Sequence, residues 1–170
     1  NFRYRHITDR WGTFRFEGSW AYNIHNKYQQ LPEDDLVDYR NVRPSLNFMY
    51  PERSRVRATA SWEYEDWMST VNLTRLGSAW GSQETDGCVT DPASANFGYC
   101  YGRKLAPMHF WNMSVARKFG PDVTAQFTVV NAFDKQYRND PGQIGYPYFN
   151  PWLGADPLGR RFHLSLSYRF

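Results

Sequence analysis

Apolar and polar side chains alternate along most of this chain with a period of two. In "TFRFEGSWAY", Phe14, Phe16, Trp20 and Tyr22 fall on one side, and Arg15, Glu17, Ser19 and Ala21 on the other. "RVRATASWEY" sets Val56, Ala58, Ala60, Trp62 and Tyr64 against Arg55, Arg57, Thr59, Ser61 and Glu63. "WMSTVNLTRL" and "FWNMSVARKF" repeat the rule, as does "VTAQFTVVNAF", which carries Val123, Ala125, Phe127, Val129 and Phe133 on one face. The closing "GRRFHLSLSYRF" alternates to the end, through Phe162, Leu164, Leu166, Tyr168 and Phe170. A two-residue period is that of a strand with one apolar and one wet face. Apolar residues at helical spacing are missing from every segment of comparable length. The pattern predicts an all-β, antiparallel chain of six complete strands, with part of a seventh in "NFRYRH".

The spaces between these runs alternate too. Residues 7–11, 64–66 and 119–122 read as tight turns, whereas about 25–54, 78–107 and 134–159 read as long loops. Two architectures accept alternating strands: a soluble β-sandwich and a membrane barrel with short turns at one rim and long loops at the other. The apolar runs begin and end with rings, as in Phe14 and Tyr22, or Trp111 and Phe119, with smaller residues between them. That matches an apolar band between two aromatic girdles. Seven strands with an incomplete first one cannot close a barrel, and an open edge in lipid leaves backbone groups unsatisfied. The chain is therefore expected to be part of a larger barrel, or to pair with other chains.

Composition narrows the alternatives without deciding between them. Aromatics make up 18% of the 170 residues, and mean hydropathy is −0.72. No apolar stretch reaches 18 residues, which excludes a membrane-spanning helix and is silent on barrel strands. The 20 basic and 17 acidic residues look well mixed, with no polybasic run, so nucleic acid is not an expected partner. The start, "NFRYRHITDRWG", has no apolar signal region and no initiator Met, as expected of a chain that begins inside a larger product or after a processing event.

Two linked motifs near the end carry a resemblance. "VVNAFDKQYRNDP" (Asn131, Phe133, Asp134, Lys135, Tyr137) is followed, after a loop, by Gly159–Arg160 and a last strand ending in Phe170. This arrangement resembles the C-terminal signature of TonB-dependent outer-membrane receptors. The resemblance implies an antiparallel transmembrane β-barrel of about 22 strands, to which this chain supplies about the last seven. It implies location in the outer membrane of a Gram-negative bacterium, against lipid and lipopolysaccharide. Partners would be the remaining strands and plug domain of the receptor, TonB acting through that plug, and the outer-membrane assembly machinery. Neither plug nor TonB box lies in these residues. Tyr168 and Phe170 resemble the C-terminal assembly signal, which would put Gly159 and Arg160 at the outer rim and Phe170 at the periplasmic one. The implied activity is active uptake of a bulky, scarce nutrient, a ferric siderophore first, an oligosaccharide or peptide second. A non-transporting porin or adhesin, and a secreted carbohydrate-binding sandwich, stay open as alternatives.

Uptake makes and breaks no bonds, so no catalytic constellation, cofactor or resident metal is expected. His6, His25, His109 and His163 fall at no metal-ligand spacing. His163 falls on the polar, inward parity of the last strand. The acidic run Glu33–Asp35 lacks the spacing of a calcium loop and reads as a hydrated loop. Cys88 and Cys100, an even pair in an oxidising compartment, are expected to form a disulfide within the loop 78–107. Substrate contacts are expected from loop aromatics: Trp80, Tyr99, Tyr101, Tyr146, Tyr148 and Trp152. Packing of the loops against one another is an equally good use of those rings.

Overall fold

A computed structural model describes residues 1–25, 27–29, 31–38, 52–80, 87–94, 97–98, 100–101, 104–136 and 158–169, excluding the side chains of Tyr28, Val37, Asp38, Trp80 and Tyr101. Its strands in chain order are β1 (Phe2–Thr8), β2 (Gly12–Tyr22), β3 (Lys27–Tyr28), β4 (Val37–Asp38), β5 (Ser54–Tyr64), β6 (Trp67–Leu76) and β7 (Ala79–Trp80). They continue with β8 (Gly87–Cys88), β9 (Cys100–Tyr101), β10 (Lys104–Leu105), β11 (Met108–Phe119), β12 (Val123–Val130) and β13 (Arg161–Tyr168). No helix occurs among the described residues.

The seven long strands form one antiparallel sheet in strict chain order, β1-β2-β5-β6-β11-β12-β13. This is the meander expected from the alternation, and its fold is that of a portion of a β-barrel wall. A sandwich would split the strands between two sheets and bury one face of each. Here the apolar face is left uncovered: Leu164 is 80% exposed, Leu166 74% and Trp20 69%. Among the described residues the fully buried apolar ones are few, namely Leu76, Ala79, Leu105, Met108 and Ala116. The sandwich reading therefore fails.

Register settles which side chains share a face. One transverse row of the apolar face runs Tyr4, Phe16, Ala60, Val71, Met113, Val129, Phe162 across all seven strands. Near the short turns the same face carries Phe14, Trp62, Tyr64, Trp67, Phe119 and Tyr168. Near the long loops it carries Trp20, Tyr22 and Trp111. Ala58, Ala60, Val71, Leu73, Met113 and Val115 lie between. Tyr4, Phe16 and Phe162 lie in that central row and Phe127 at mid-strand, so the rings are concentrated at the two rims rather than confined to them.

The lower ring is tied into the backbone. The Trp62 indole N–H donates to the Trp11 carbonyl at 2.7 Å, fixing the turn between β1 and β2. An amphipathic ring with an apolar body and a satisfied polar tip suits a boundary between apolar and wet surroundings. Arg117, on the same face, lies 5.0 Å from the Trp67 ring and 5.1 Å from Phe119. Its charge is thereby held against two π faces at the edge of the apolar band.

Two sequence expectations change. The strand read as reaching Phe133 stops at Val130, because Asn131 and Asp134 take left-handed φ values of 52° and 50°. A strand cannot continue through such residues. The charges, read as well mixed, are segregated in space. Glu17 and Glu63 are the only acids within the seven long strands, and the other 15 of the 17 lie outside them. His163 faces the polar side, opposite Thr128.

Candidate functional site: the loop rim and its anchor

The long connections leave the sheet at one end, and parts of them are built on short ribbons. Residues Lys27–Tyr28 pair with Val37–Asp38 above the β2–β5 connection. Asp34 caps the intervening turn: its Oδ2 accepts from the Leu31 N–H at 3.0 Å. Gln29 Nε2 donates to the carbonyls of Pro32 at 2.8 Å and Asp34 at 2.7 Å. Asp34 thus serves the backbone of its own loop, through a local side-chain-to-backbone bond to the residue three before it.

The β6–β11 connection is extended by β7 and β10, with Ala79 opposite Leu105. Both are buried, next to the buried Leu76–Met108 pair at the head of the sheet. Beyond them, Gly87–Cys88 pairs with Cys100–Tyr101, and Cys88 is bonded to Cys100. Inside the disulfide the Gly98 N–H donates to the Val89 carbonyl at 2.9 Å, and Asp91 Oδ1 accepts from the Ala93 N–H at 2.9 Å. A cross-link closing a ring of this size stabilises it by about 3 kcal/mol in the chain-entropy picture. The effect is expected to be local, since among the described residues β8 and β9 pair only with each other. Replacing both cysteines by serine is expected to raise protease cleavage between residues 88 and 100 at least tenfold, with the thermal midpoint of the sheet unchanged. Limited proteolysis and melting followed on one preparation read both.

The two linked motifs meet in space at the base of the third long connection. Asn131 is 4% exposed. Its Oδ1 accepts from the Lys135 N–H at 2.8 Å, and its Nδ2 donates to the Lys135 carbonyl at 3.1 Å. The Asn131 N–H donates in turn to Asn112 Oδ1 at 2.9 Å, joining the corner to β11. The backbone adds Ala132 N–H to the Trp111 carbonyl at 2.8 Å and Asp134 N–H to the Asn131 carbonyl at 2.8 Å. Phe133 leaves the strand but packs edge-on against Trp111, with centroids 6.2 Å apart. From the far side of the loop, the Arg160 N–H donates to Asp134 Oδ1 at 2.9 Å. Gly159 has φ +66°, and a Cβ there would stand 2.8 Å from that same Oδ1. Only glycine therefore lets the returning chain reach the carboxylate unstrained. Arg160 then stacks over Phe162, 5.8 Å from its centroid.

This corner clamps the two ends of the loop together. Its members come from positions 112, 131–135 and 159–160, so the spacing that makes the motifs recognisable is the spacing of one hydrogen-bonded joint. Asn112 was not among the sequence candidates; its signal is only an Asn on a strand's polar face.

Of the loop aromatics, Trp80 and Tyr101 lie on the short ribbons, paired through the backbone with Lys104 and Gly87. Tyr99, Tyr137, Tyr146, Tyr148, Trp152 and Phe170 fall outside the described residues. Tyr168 ends β13 opposite Val123, on the apolar face. The Arg169 N–H donates to the Asp122 carbonyl at 2.9 Å, holding the end of β13 to the β11–β12 turn. Among the described residues no group of three His, Cys, Asp or Glu is placed to hold a metal ion.

The fold and the clamp together define a segment of barrel wall with anchored loops. No protein-family model matches the chain, and no curated protein matches it. Among solved structures, it is similar to a variant of the ferric enterobactin receptor from Pseudomonas aeruginosa, with a TM-score of 0.57 at 13% identity. The match covers 98% of this chain and 21% of that receptor, so the chain spans about a fifth of its length. At that identity the likeness is one of fold.

Proposed function

We propose that this chain is a wall segment of an outer-membrane, TonB-dependent receptor that imports a bulky, scarce nutrient, a ferric siderophore before an oligosaccharide or peptide. The observation carrying the reading is a single seven-stranded sheet whose uncovered apolar face is banded by rings and whose other face is polar. Lipid is the solvent that such a face fits. The clamp at Asn131, Asp134 and Arg160 supports the reading further, because it holds a long loop where a cargo would arrive. The fold shared with a ferric enterobactin receptor favours iron complexes as cargo. In this reading β1 and β13, each paired on one side here, meet the remaining strands, and a plug domain elsewhere in the receptor conveys energy from TonB. In this reading the chain contributes to binding and carries out no covalent step.

Deletion of the gene in its host, with uptake of radiolabelled iron(III) complexes measured in iron-starved cells, tests the assignment. Loss of uptake of one complex, restored by the complete receptor, is the expected result. Unchanged uptake of every iron complex removes the siderophore version. A protein that stays soluble without detergent removes the membrane barrel itself.

A further inference from the structure

Within the seven long strands, Arg75 and Arg117 are the only lysine, arginine, aspartate or glutamate side chains on the apolar face. They stand at opposite ends of it. Arg75 lies near the long loops, and its Nη1 donates to Ser54 Oγ at 3.1 Å. Arg117 lies near the short turns, between Trp67 on β6 and Ala125 on β12. Its guanidinium rests 5.0 Å from the Trp67 ring and 5.1 Å from Phe119. Neither ring offers an oxygen acceptor. Among the described residues Arg117 has no carboxylate at ion-pair distance and no acceptor for its guanidinium N–H groups.

The surroundings of Arg117 are those of a charge at the edge of an apolar slope. Its row runs Tyr64, Trp67, Arg117, Ala125, Leu166 across β5, β6, β11, β12 and β13. Ala125 carries the smallest side chain of that row and leaves it low on one side of the guanidinium. The next row toward mid-height runs Trp62, Ser69, Val115, Phe127, Leu164. Its two polar protons are already given to backbone carbonyls, from Trp62 to Trp11 at 2.7 Å and from Ser69 to Ser114 at 3.2 Å. Arg117 is two residues from Phe119, where β11 ends, or about 7 Å along the strand. The headgroup layer of a bilayer is about 5–8 Å deep on each side. A long side chain at that position reaches the headgroups while its stem stays against the apolar band.

We infer that Arg117 holds the phosphate of an anionic glycerophospholipid of the inner leaflet, with Trp67 and Phe119 bracing the guanidinium and an acyl chain lying over Ala125 and Val115. The inference rests on the receptor reading, which puts the short turns in the periplasm. The leaflet on that side is glycerophospholipid, and the phosphates of lipid A belong to the other. A guanidinium presents two parallel N–H donors to a pair of phosphate oxygens, and it is more weakly hydrated than an ammonium. Ring and phosphate contacts are compatible, because the rings stabilise the charge and leave the N–H groups to an oxygen acceptor. A carboxylate of a protein partner has a similar acceptor geometry. It would have to arrive from within the bilayer, over a surface made by Ser69, Val115, Phe127 and Leu166. The charge of the headgroup and the apolar slope below it are complementary to one molecule, a lipid.

The test uses the complete receptor, purified in detergent, and native mass spectrometry with added dioleoyl phosphatidylglycerol. The parent is expected to retain the lipid, and Arg117→Gln to weaken its apparent affinity about tenfold, the loss of one charge-assisted contact. Lys118→Gln removes the same charge one residue away, on the polar face, and is expected to bind as the parent does. Equal retention by the parent and Arg117→Gln overturns the proposal, as does an equal loss in Lys118→Gln. Displacement of the lipid by glycerol phosphate at equal concentration makes the site one for soluble phosphate and overturns it. A preference for lipid A over phosphatidylglycerol does the same. Should Arg117→Gln fail to show heat-modifiable migration, Arg117→Lys decides. It keeps the charge without the paired donors, and retention equal to the parent's overturns the role of the guanidinium. A barrel that needs detergent and takes up iron, yet shows no dependence on Arg117, leaves the receptor assignment standing and removes the lipid site alone.

Discussion

In the proposed outer-membrane barrel, substituting Val71 by arginine is expected to destabilise the protein by about 2–4 kcal/mol, the cost of a cationic side chain on the lipid face of a barrel near mid-bilayer. Val71 stands in the centre of the apolar face, between Ala60 on β5 and Met113 on β11. No ring stands directly beside Val71 in its own row; Trp62 and Trp111 are diagonal neighbours, one step toward either rim, and stacking of the new guanidinium on them would bring the cost toward the lower end of that range. This contrasts with Arg117, whose charge rests on Trp67 and Phe119. The neighbouring residue provides the control. Thr70 projects to the polar face, opposite Ser61 and Ser114. Thr70→Arg is expected to change stability by no more than about 0.5 kcal/mol, as exposed polar substitutions do. Urea unfolding in lipid vesicles, with heat-modifiable gel migration as the folding readout, separates the two variants. Equal effects at positions 70 and 71 would refute a lipid-facing apolar side.

The second large effect is expected at Asn131. Asn131→Ala removes both side-chain hydrogen bonds to the backbone of the exposed Lys135, each worth about 0.5–1.5 kcal/mol and together about 1–3 kcal/mol. Alanine must also occupy φ 52°, which adds roughly 1 kcal/mol over an asparagine tolerant of that region. The combined loss of about 2–4 kcal/mol falls on the corner that joins Asp134 to Arg160. Asn131→Gly separates the two terms, because it relieves the backbone and still lacks the amide. Asn131→Asp keeps the acceptor for the Lys135 N–H and replaces the donor to its carbonyl by a carboxylate oxygen. The expected order of stability is parent, then the Asp and Gly variants, then Ala. Hydrogen exchange at the Lys135 and Arg160 amides reports it locally, and thermal unfolding reports it globally. A variant series with no effect at Arg160 would break the proposed connection between the two loop ends.

Much of this architecture is legible in the order of residues. Alternation places all seven long strands, because in a sheet with one apolar and one polar face each side chain's partner medium is dictated by parity alone. Turn chemistry does the same for the short connections. Parity is uninformative where the backbone leaves the extended region, and so Phe133 reads as the last residue of a strand. The signal that it is not lies in Asn131 and Asp134, two residues that tolerate positive φ, flanking it at a spacing of three. Charge segregation was equally open to a count by face. A net charge summed over the whole chain conceals it, since acids in the loops offset arginines on the wall. The cysteine pairing was legible because two cysteines admit one intramolecular partnership. The binding surface is another matter. A ring in a loop can stack on a ligand or on its neighbour, and no local period distinguishes those uses.

The strict chain order of the sheet has a consequence for assembly. Every long strand pairs only with its predecessor and successor, so no pairing must wait for a distant part of the sheet. The hairpins β1–β2, β5–β6 and β11–β12 close across a few residues each. The pairings β2–β5, β6–β11 and β12–β13 must close across the long connections. Between residues 65–66 and residues 23–53 there are roughly four doublings of loop length, about 2 kcal/mol of additional closure entropy. The wall should therefore form as three preformed hairpins that zip together in sequence. In that order of events the Asn131–Asp134–Arg160 joint acquires a kinetic meaning, because it draws together the two ends of a connection that would otherwise be slow to close, whereas the Cys88–Cys100 cross-link only shortens the interior of the β6–β11 connection.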